Sequence, residues 1–315
     1  MTLDHTASGV YPIAVTPFDP EGRVDHASVD RMTDFYVRCG ASGLTILGVM
    51  GEAPKLDGGE ALELTRQVVK RAGALPIIVG VSAPGFAAMR ALARGAMDIG
   101  AAGVMIAPPS HLRSDEQIVG YYRQAVAAIG ADIPFVIQDY PLTFQVVMAP
   151  KVIREIVREL PSCVMLKHED WPGLEKITTL RSFQAEGSMR PISILCGNGG
   201  LFLDFEMERG ADGAMTGYAF PDMLVDVVRL SKGGERQAAH DLFDAHLPLL
   251  RYEQQQGVGL AVRKYVLQKR GAIAFDCQRS PSTGLSQAAK AEIDFLLERL
   301  GRIDQRATVA AAQDG

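Results

Sequence analysis

The chain has 315 residues, a formal net charge of −5, 47% hydrophobic residues and 22% charged residues. That acidic balance gives no electrostatic footprint for nucleic acid or an anionic membrane, and no apolar run approaches the roughly 20 residues a spanning helix needs. Cys39, Cys163, Cys196 and Cys277 form no CxxC pair and read as small core residues in a reducing compartment, not as a disulfide frame or zinc site.

The start, Met1-Thr2-Leu3-Asp4-His5-Thr6, has neither a basic n-region nor an apolar h-region, so a cytoplasmic location is expected. From there, β-type runs alternate with helical segments. The expected strands are residues 10–18, 43–49, 76–82, 103–107, 133–140, 163–169, 192–197 and 213–216. Between them the expected helices are 28–39, 59–72, 86–99, 114–129, 150–159, 173–183 and 201–209, with another starting at Pro221. Such spacing demands parallel strands joined by crossover helices. Eight units in about 230 residues most simply close into a (β/α)8 TIM barrel over residues 1–231. A doubly wound open sheet is the alternative, but no GxGxxG follows the first strand. Residues 232–301 are expected as a C-terminal helical extension packed on the barrel, and 302–315 as a disordered tail.

Barrel enzymes carry their chemistry at the C-terminal strand ends. The polar residues falling there include Thr16, Gly48-Val49-Met50-Gly51-Glu52, Ser82, Ser110-His111, Gln138-Asp139-Tyr140, Lys167-His168-Glu169, Gly197-Asn198 and Thr216-Gly217-Tyr218. Period-two alternation puts Gln138 and Tyr140 on one side of their strand and Asp139 on the other. It likewise puts Lys167 and Glu169 together, with His168 opposite.

The apolar run Cys163-Val164-Met165-Leu166 delivers Lys167 at the end of a strand buried on both faces. A lysine there has little water around its ammonium, which disfavours the charged form and leaves an amine able to attack a carbonyl. The plainer reading is a lysine whose head emerges beside Glu169 or Asp170. Two other chemistries are open. His111, Asp139, His168, Glu169 and Asp170 offer metal-type ligands, though no HxH or HxxxH spacing occurs. Gly197-Asn198-Gly199-Gly200 before a helix could take a phosphate, though no Lys or Arg stands beside it.

These residues together resemble the dihydrodipicolinate synthase / N-acetylneuraminate lyase superfamily of class I lyases over nearly the whole chain. The matching features are Thr16-Pro17-Phe18, the Gly48–Glu52 segment where the family has GTTGE, Pro108-Pro109, the lysine strand, Gly197 and Gly213-Ala214-Met215-Thr216. The resemblance implies a Schiff base between Lys167 and a small-molecule 2-keto acid, needing no cofactor and no metal. It also implies a homotetramer built as a dimer of dimers.

Departures narrow this. The family's two GTTGE threonines fall on Val49 and Met50, its strand-five tyrosine on Gln138, and the tyrosine lent by a neighbouring subunit on His111. The arginine that binds aspartate semialdehyde in the synthases falls near Thr143, so lysine biosynthesis is not expected. The replacements are similar to those of L-2-keto-3-deoxyarabonate dehydratases, which also resemble Phe220-Pro221-Asp222, Leu247-Pro248-Leu249 and Glu253-Gln254-Gln255. Their Ser-Glu-Gln after strand two reads Gly51-Glu52-Ala53 here.

The expectation is a Schiff-base lyase, dehydratase or aldolase, acting on a 2-keto-3-deoxy sugar acid. Lys167, Glu169, Gln138 and His111 are the expected catalytic residues. Gly48, Val49, Met50, Glu52, Thr16, Tyr140, Gly197, Met215 and Thr216 are expected around the substrate. Alternatives are an ordinary pyruvate-dependent aldolase and a non-catalytic 2-keto acid binding protein.

Overall fold

A computed structural model describes residues 2–171 and 173–308. Eight parallel strands form one sheet in the order β1-β8-β7-β6-β5-β4-β3-β2. They are β1 (Gly9–Val10), β2 (Leu44–Ile46), β3 (Ile77–Gly80), β4 (Gly103–Ile106), β5 (Phe135–Asp139), β6 (Cys163–His168), β7 (Ser193–Cys196) and β8 (Gly213–Ala214). Beyond β1 the chain keeps bonding to the β8 side through Ile13 N–H to Thr216 O at 2.9 Å. On its other side a parallel bridge, Ile13 to Thr45, closes the ring against β2. The result is a (β/α)8 TIM barrel with C-terminal helices.

The first regular strand is shorter than the 10–18 run, because Pro12 and Pro17 carry no N–H for the ladder. Helices start where capping chemistry sits. Asp57 and Glu60 exchange side-chain and backbone bonds in a capping box before Gly58–Ala72, as do Ser114 and Gln117 before Asp115–Ile129.

Two apolar layers hold this together. A large one fills the space between sheet and helices. A smaller one, including Tyr11, Ile13, Ile78, Met105, Val136, Met165, Leu195 and Met215, plugs the barrel interior. The plug gives the site above it a solid apolar floor.

The extension consists of Arg236–Glu253, Gly259–Lys269 and Gln287–Gly301. The disordered tail expected from Arg302 onward is corrected as far as Thr308. Gln305–Ala307 forms a helical turn, Ala307 is buried, Asp304 bonds the His246 imidazole at 2.9 Å, and Arg306 pairs with Asp226 at 2.8 Å. These long-range partners hold a segment whose composition alone reads as frayed. Residues 309–315 lie outside the described residues. Among the described residues, no helix is long and apolar enough to cross a membrane.

Candidate active site

A cavity of about 490 Å³ opens at the C-terminal ends of the strands. Its chemical centre is set by strand register. Gln138 of β5 stands opposite Lys167 of β6, so parallel pairing puts both side chains on the inner face. The alternation then adds Tyr140 and Glu169, and all four line the cavity.

Lys167 and Glu169 are 4% and 5% exposed. Lys167 Nζ lies 2.7 Å from Glu169 Oε1, and Gln138 Nε2 donates to the same oxygen at 2.8 Å. The second carboxylate oxygen accepts the Asn198 N–H at 3.0 Å. Both oxygens of Glu169 are therefore fixed, one on the amine and one on the loop after β7. Strand alternation puts Lys167 and Glu169 on one side, and the structure brings the amine and the carboxylate into contact, where the carboxylate can take its proton.

Gly197 makes room for this carboxylate. A Cβ there would sit 2.2 Å from Glu169 Cγ. The glycine-rich turn is thus spent on packing: Asn198 N–H is used by Glu169, and Gln254 fills the space beside Gly199. Gly197 supports the site from behind and is not among the residues lining the cavity.

Val49, Met50 and Thr216 line the cavity. Val49–Gly51 forms a short helical turn capped by Gly48, whose leading N–H groups have no acceptor within the turn. Gly48 itself stays out of the lining, and a Cβ there would meet Ile13 Cγ2 at 3.3 Å.

Four further expected residues stand outside the cavity lining. Thr16 Oγ1 donates to Gly51 O at 2.6 Å, which braces the β2 loop. Glu52 turns away from the cavity and binds Lys264 at 2.5 Å and Lys55 at 2.8 Å. Lys264 also donates to Thr16 O and Cys277 O, so the cluster ties the C-terminal extension to the β2 loop. Met215 belongs to the apolar plug beneath the floor. His111 is exposed and lies outside the cavity lining of this chain.

The opposite face of β5 and β6 holds a separate buried network. Lys176 Nζ lies 2.7 Å from Asp139 Oδ2 and 2.6 Å from Asp170 Oδ2. Burial raises Asp139 to about 6, against the pull of Lys176. Burial, then Lys176, lowers His168 to about 4, so its imidazole is neutral at pH 7. Asp139 and His168 thus face away from Glu169, and Lys176 occupies the carboxylates. Among the described residues, no group of three or more His, Cys, Asp or Glu side chains converges to hold a metal ion.

The extension supplies a wall that strand-end reasoning missed: Glu253, Gln254, Gln255 and Arg263 line the cavity. Arg263 is 1% exposed, and its Nε bonds Glu253 Oε1 at 2.6 Å. One signal was present in the sequence. Arg263 and Lys264 are adjacent cations in a helix otherwise flanked by Ala261, Val262, Tyr265, Val266 and Leu267. Buried cations require paired partners.

Residues 6–300 match the family described as the dihydrodipicolinate synthetase family. The chain belongs to that family. Among curated relatives, this dihydrodipicolinate synthetase family member is 30% identical to an L-2-keto-3-deoxyarabonate dehydratase of Azospirillum brasilense, over 93% of this chain and 94% of the relative. It is 29% identical to a 4-hydroxy-tetrahydrodipicolinate synthase of Chlorobium luteolum, over 92% of this chain and 96% of the relative. Among solved structures, a protein named dihydrodipicolinate synthase from Rhodopseudomonas palustris superposes with a TM-score of 0.94 at 66% identity, covering 95% of this chain and 99% of that one. The dihydrodipicolinate synthetase family member is a lyase.

Proposed function

We propose that the protein is a dehydratase of a 2-keto-3-deoxy sugar acid, working through an imine on Lys167. The carrying observation is the cavity-facing Lys167 amine, 2.7 Å from a carboxylate whose other oxygen is pinned by Asn198.

The Lys167 amine, having passed a proton to Glu169, attacks C2 of the keto acid, and the carbonyl oxygen leaves as water. The protonated imine is an electron sink. A base removes a proton from C3, and the electron pair runs into the iminium to give an enamine. The enamine then expels the C4 hydroxyl, which takes a proton and leaves as water. Hydrolysis of the remaining imine frees Lys167. Glu169 is the candidate for the proton transfers, being the carboxylate in contact with the amine. Gln138 holds Glu169 in place, while Thr216 and Tyr140 face the substrate oxygens. Burial, then Glu169, raises the Tyr140 phenol above its ordinary value, so it donates. The N–H groups of Val49 and Met50 take the substrate carboxylate. A homotetramer is part of this proposal, with His111 of one subunit reaching a neighbour's site; light scattering that finds a fully active monomer would remove that part.

The lining supports a hydroxylated acid. Its charged side chains are Lys55, Lys167, Arg263, Glu169 and Glu253. That is one excess positive charge, suited to one carboxylate, and the remaining polar wall is mostly amides and hydroxyls. The 30% identical Azospirillum dehydratase supports the same class.

A second reading is synthase chemistry, favoured by the name of the 66% identical Rhodopseudomonas protein. One assay separates the two. Purified protein is incubated with 2-keto-3-deoxypentonate and, separately, with pyruvate plus aspartate semialdehyde. A dehydrated keto acid from the first mixture supports the proposal. Free pyruvate there would indicate an aldolase, and a condensation product only in the second mixture would establish the synthase reading.

A further inference from the structure

The wall contributed by the C-terminal extension holds two donors with nothing to bond. Arg263 Nη1 and Gln254 Nε2 are both buried, and neither has a hydrogen-bond partner among the described residues. Leaving a buried donor unpaired is unfavourable. Both residues line the cavity, and both rest on glycines that also line it. A Cβ at Gly217 would sit 1.9 Å from Arg263 Nη1, and one at Gly199 1.9 Å from Gln254 Nε2. Gly217 follows β8 and Gly199 follows β7, so the donors stand over the strand ends next in order to β6, which carries Lys167.

The Arg263 charge is already matched. Its Nε bonds Glu253 Oε1 at 2.6 Å, and Glu253 Oε2 accepts the Ala219 N–H at 3.1 Å. A neutralised guanidinium with an open N–H, beside an amide, suits a neutral oxygen better than a second carboxylate.

We propose that Arg263 and Gln254 form a subsite that binds the tail hydroxyls of the substrate and sets specificity for hydroxylated over plain 2-keto acids. This rests on the Lys167 imine reading and adds what the rest of the substrate must carry. Glu253 is a positioning residue that fixes the guanidinium.

The test is borohydride trapping, read as the acid concentration giving half-maximal adduct. The probes are pyruvate, 2-oxopentanoate, 2-ketoglutarate and 2-keto-3-deoxypentonate. Wild-type protein is expected to trap the hydroxylated acid at a concentration at least tenfold below that for 2-oxopentanoate. Arg263→Lys, Gln254→Leu and Gly217→Ala should each shrink that preference severalfold, read as the ratio of the two half-maximal concentrations, while an adduct with pyruvate still forms. Gly217→Ala leaves residue 263 an arginine but displaces its guanidinium, since a Cβ would sit 1.9 Å from Nη1 and 2.6 Å from Cζ, so it carries the test if Arg263→Lys does not fold.

A hydroxyl preference surviving in both Gly217→Ala and Gln254→Leu overturns the subsite alone. So does a wild-type preference for 2-ketoglutarate. No adduct with any acid overturns the imine reading, and the subsite with it.

Discussion

Glu169 Oε1 lies 2.7 Å from Lys167 Nζ, with both side chains 5–6% exposed and the other carboxylate oxygen bound to Asn198 N–H. A buried amine beside a pinned carboxylate has a defined acceptor for its proton. The barrel places this pair over an apolar plug.

Glu169→Gln keeps the shape and the contact with Gln138 but removes the proton acceptor. Turnover should fall roughly 10²- to 10⁴-fold, the usual range for a general base. Steady-state kcat with the cognate keto acid checks this, and circular dichroism should show an intact fold.

Gly197→Ala inserts a methyl 2.2 Å from Glu169 Cγ. The carboxylate must leave its place, at a cost of about 1–3 kcal/mol from overpacking. Urea denaturation should show that loss, and kcat should fall with it, although residue 197 itself does not line the cavity.

Glu52→Gln tests the opposite assignment. Removing one partner of a buried pair costs about 3–5 kcal/mol, and Lys264 is fully buried against Glu52. The variant should melt markedly earlier yet still form the Lys167 adduct at low temperature. A normal melting curve with lost adduct would return Glu52 to the substrate.

Much of the site was legible because strand alternation is strict. Gln138, Tyr140, Lys167 and Glu169 share the inner face, and Asp139 and His168 the outer, as period two requires. Glu52 was not legible, since its partner Lys264 lies 212 residues away in a helix that no local pattern connects to the β2 loop. Arg263 was missed although its partner Glu253 is only ten residues away and adjacent cations in an apolar helix signalled burial, because a wall built by an extension cannot be read from strand ends. Met215 shows the limit of alternation: its strand was expected, but its depth in the barrel was not.

The outer-face network predicts an opposed pH response. Asp139 rises from 3.8 to about 6 on folding, so the native state binds its proton more tightly. Its contribution is present below about pH 4 and is lost as pH rises toward 6, by about 3 kcal/mol. His168 falls from 6.5 to about 4, so its contribution grows over nearly the same interval. Wild-type stability attributable to this pair should therefore be nearly flat between pH 4 and 6. Asp139→Asn should unmask a rise with pH, measured by denaturant titration at half-unit steps. A variant whose stability falls with pH across that range would contradict these assignments.

The proposed imine requires Lys167 to be the amine that binds the keto acid. Among the described residues three lysines are buried, Lys167, Lys176 and Lys264, so the location of the adduct is what discriminates. The most direct measurement is intact mass after borohydride treatment with pyruvate and with 2-keto-3-deoxypentonate, followed by peptide mapping, beside a Lys167→Ala control. A permanent adduct is expected on the peptide containing Lys167 and none in the control. An adduct on Lys176 or Lys264, or none with either acid, would contradict it.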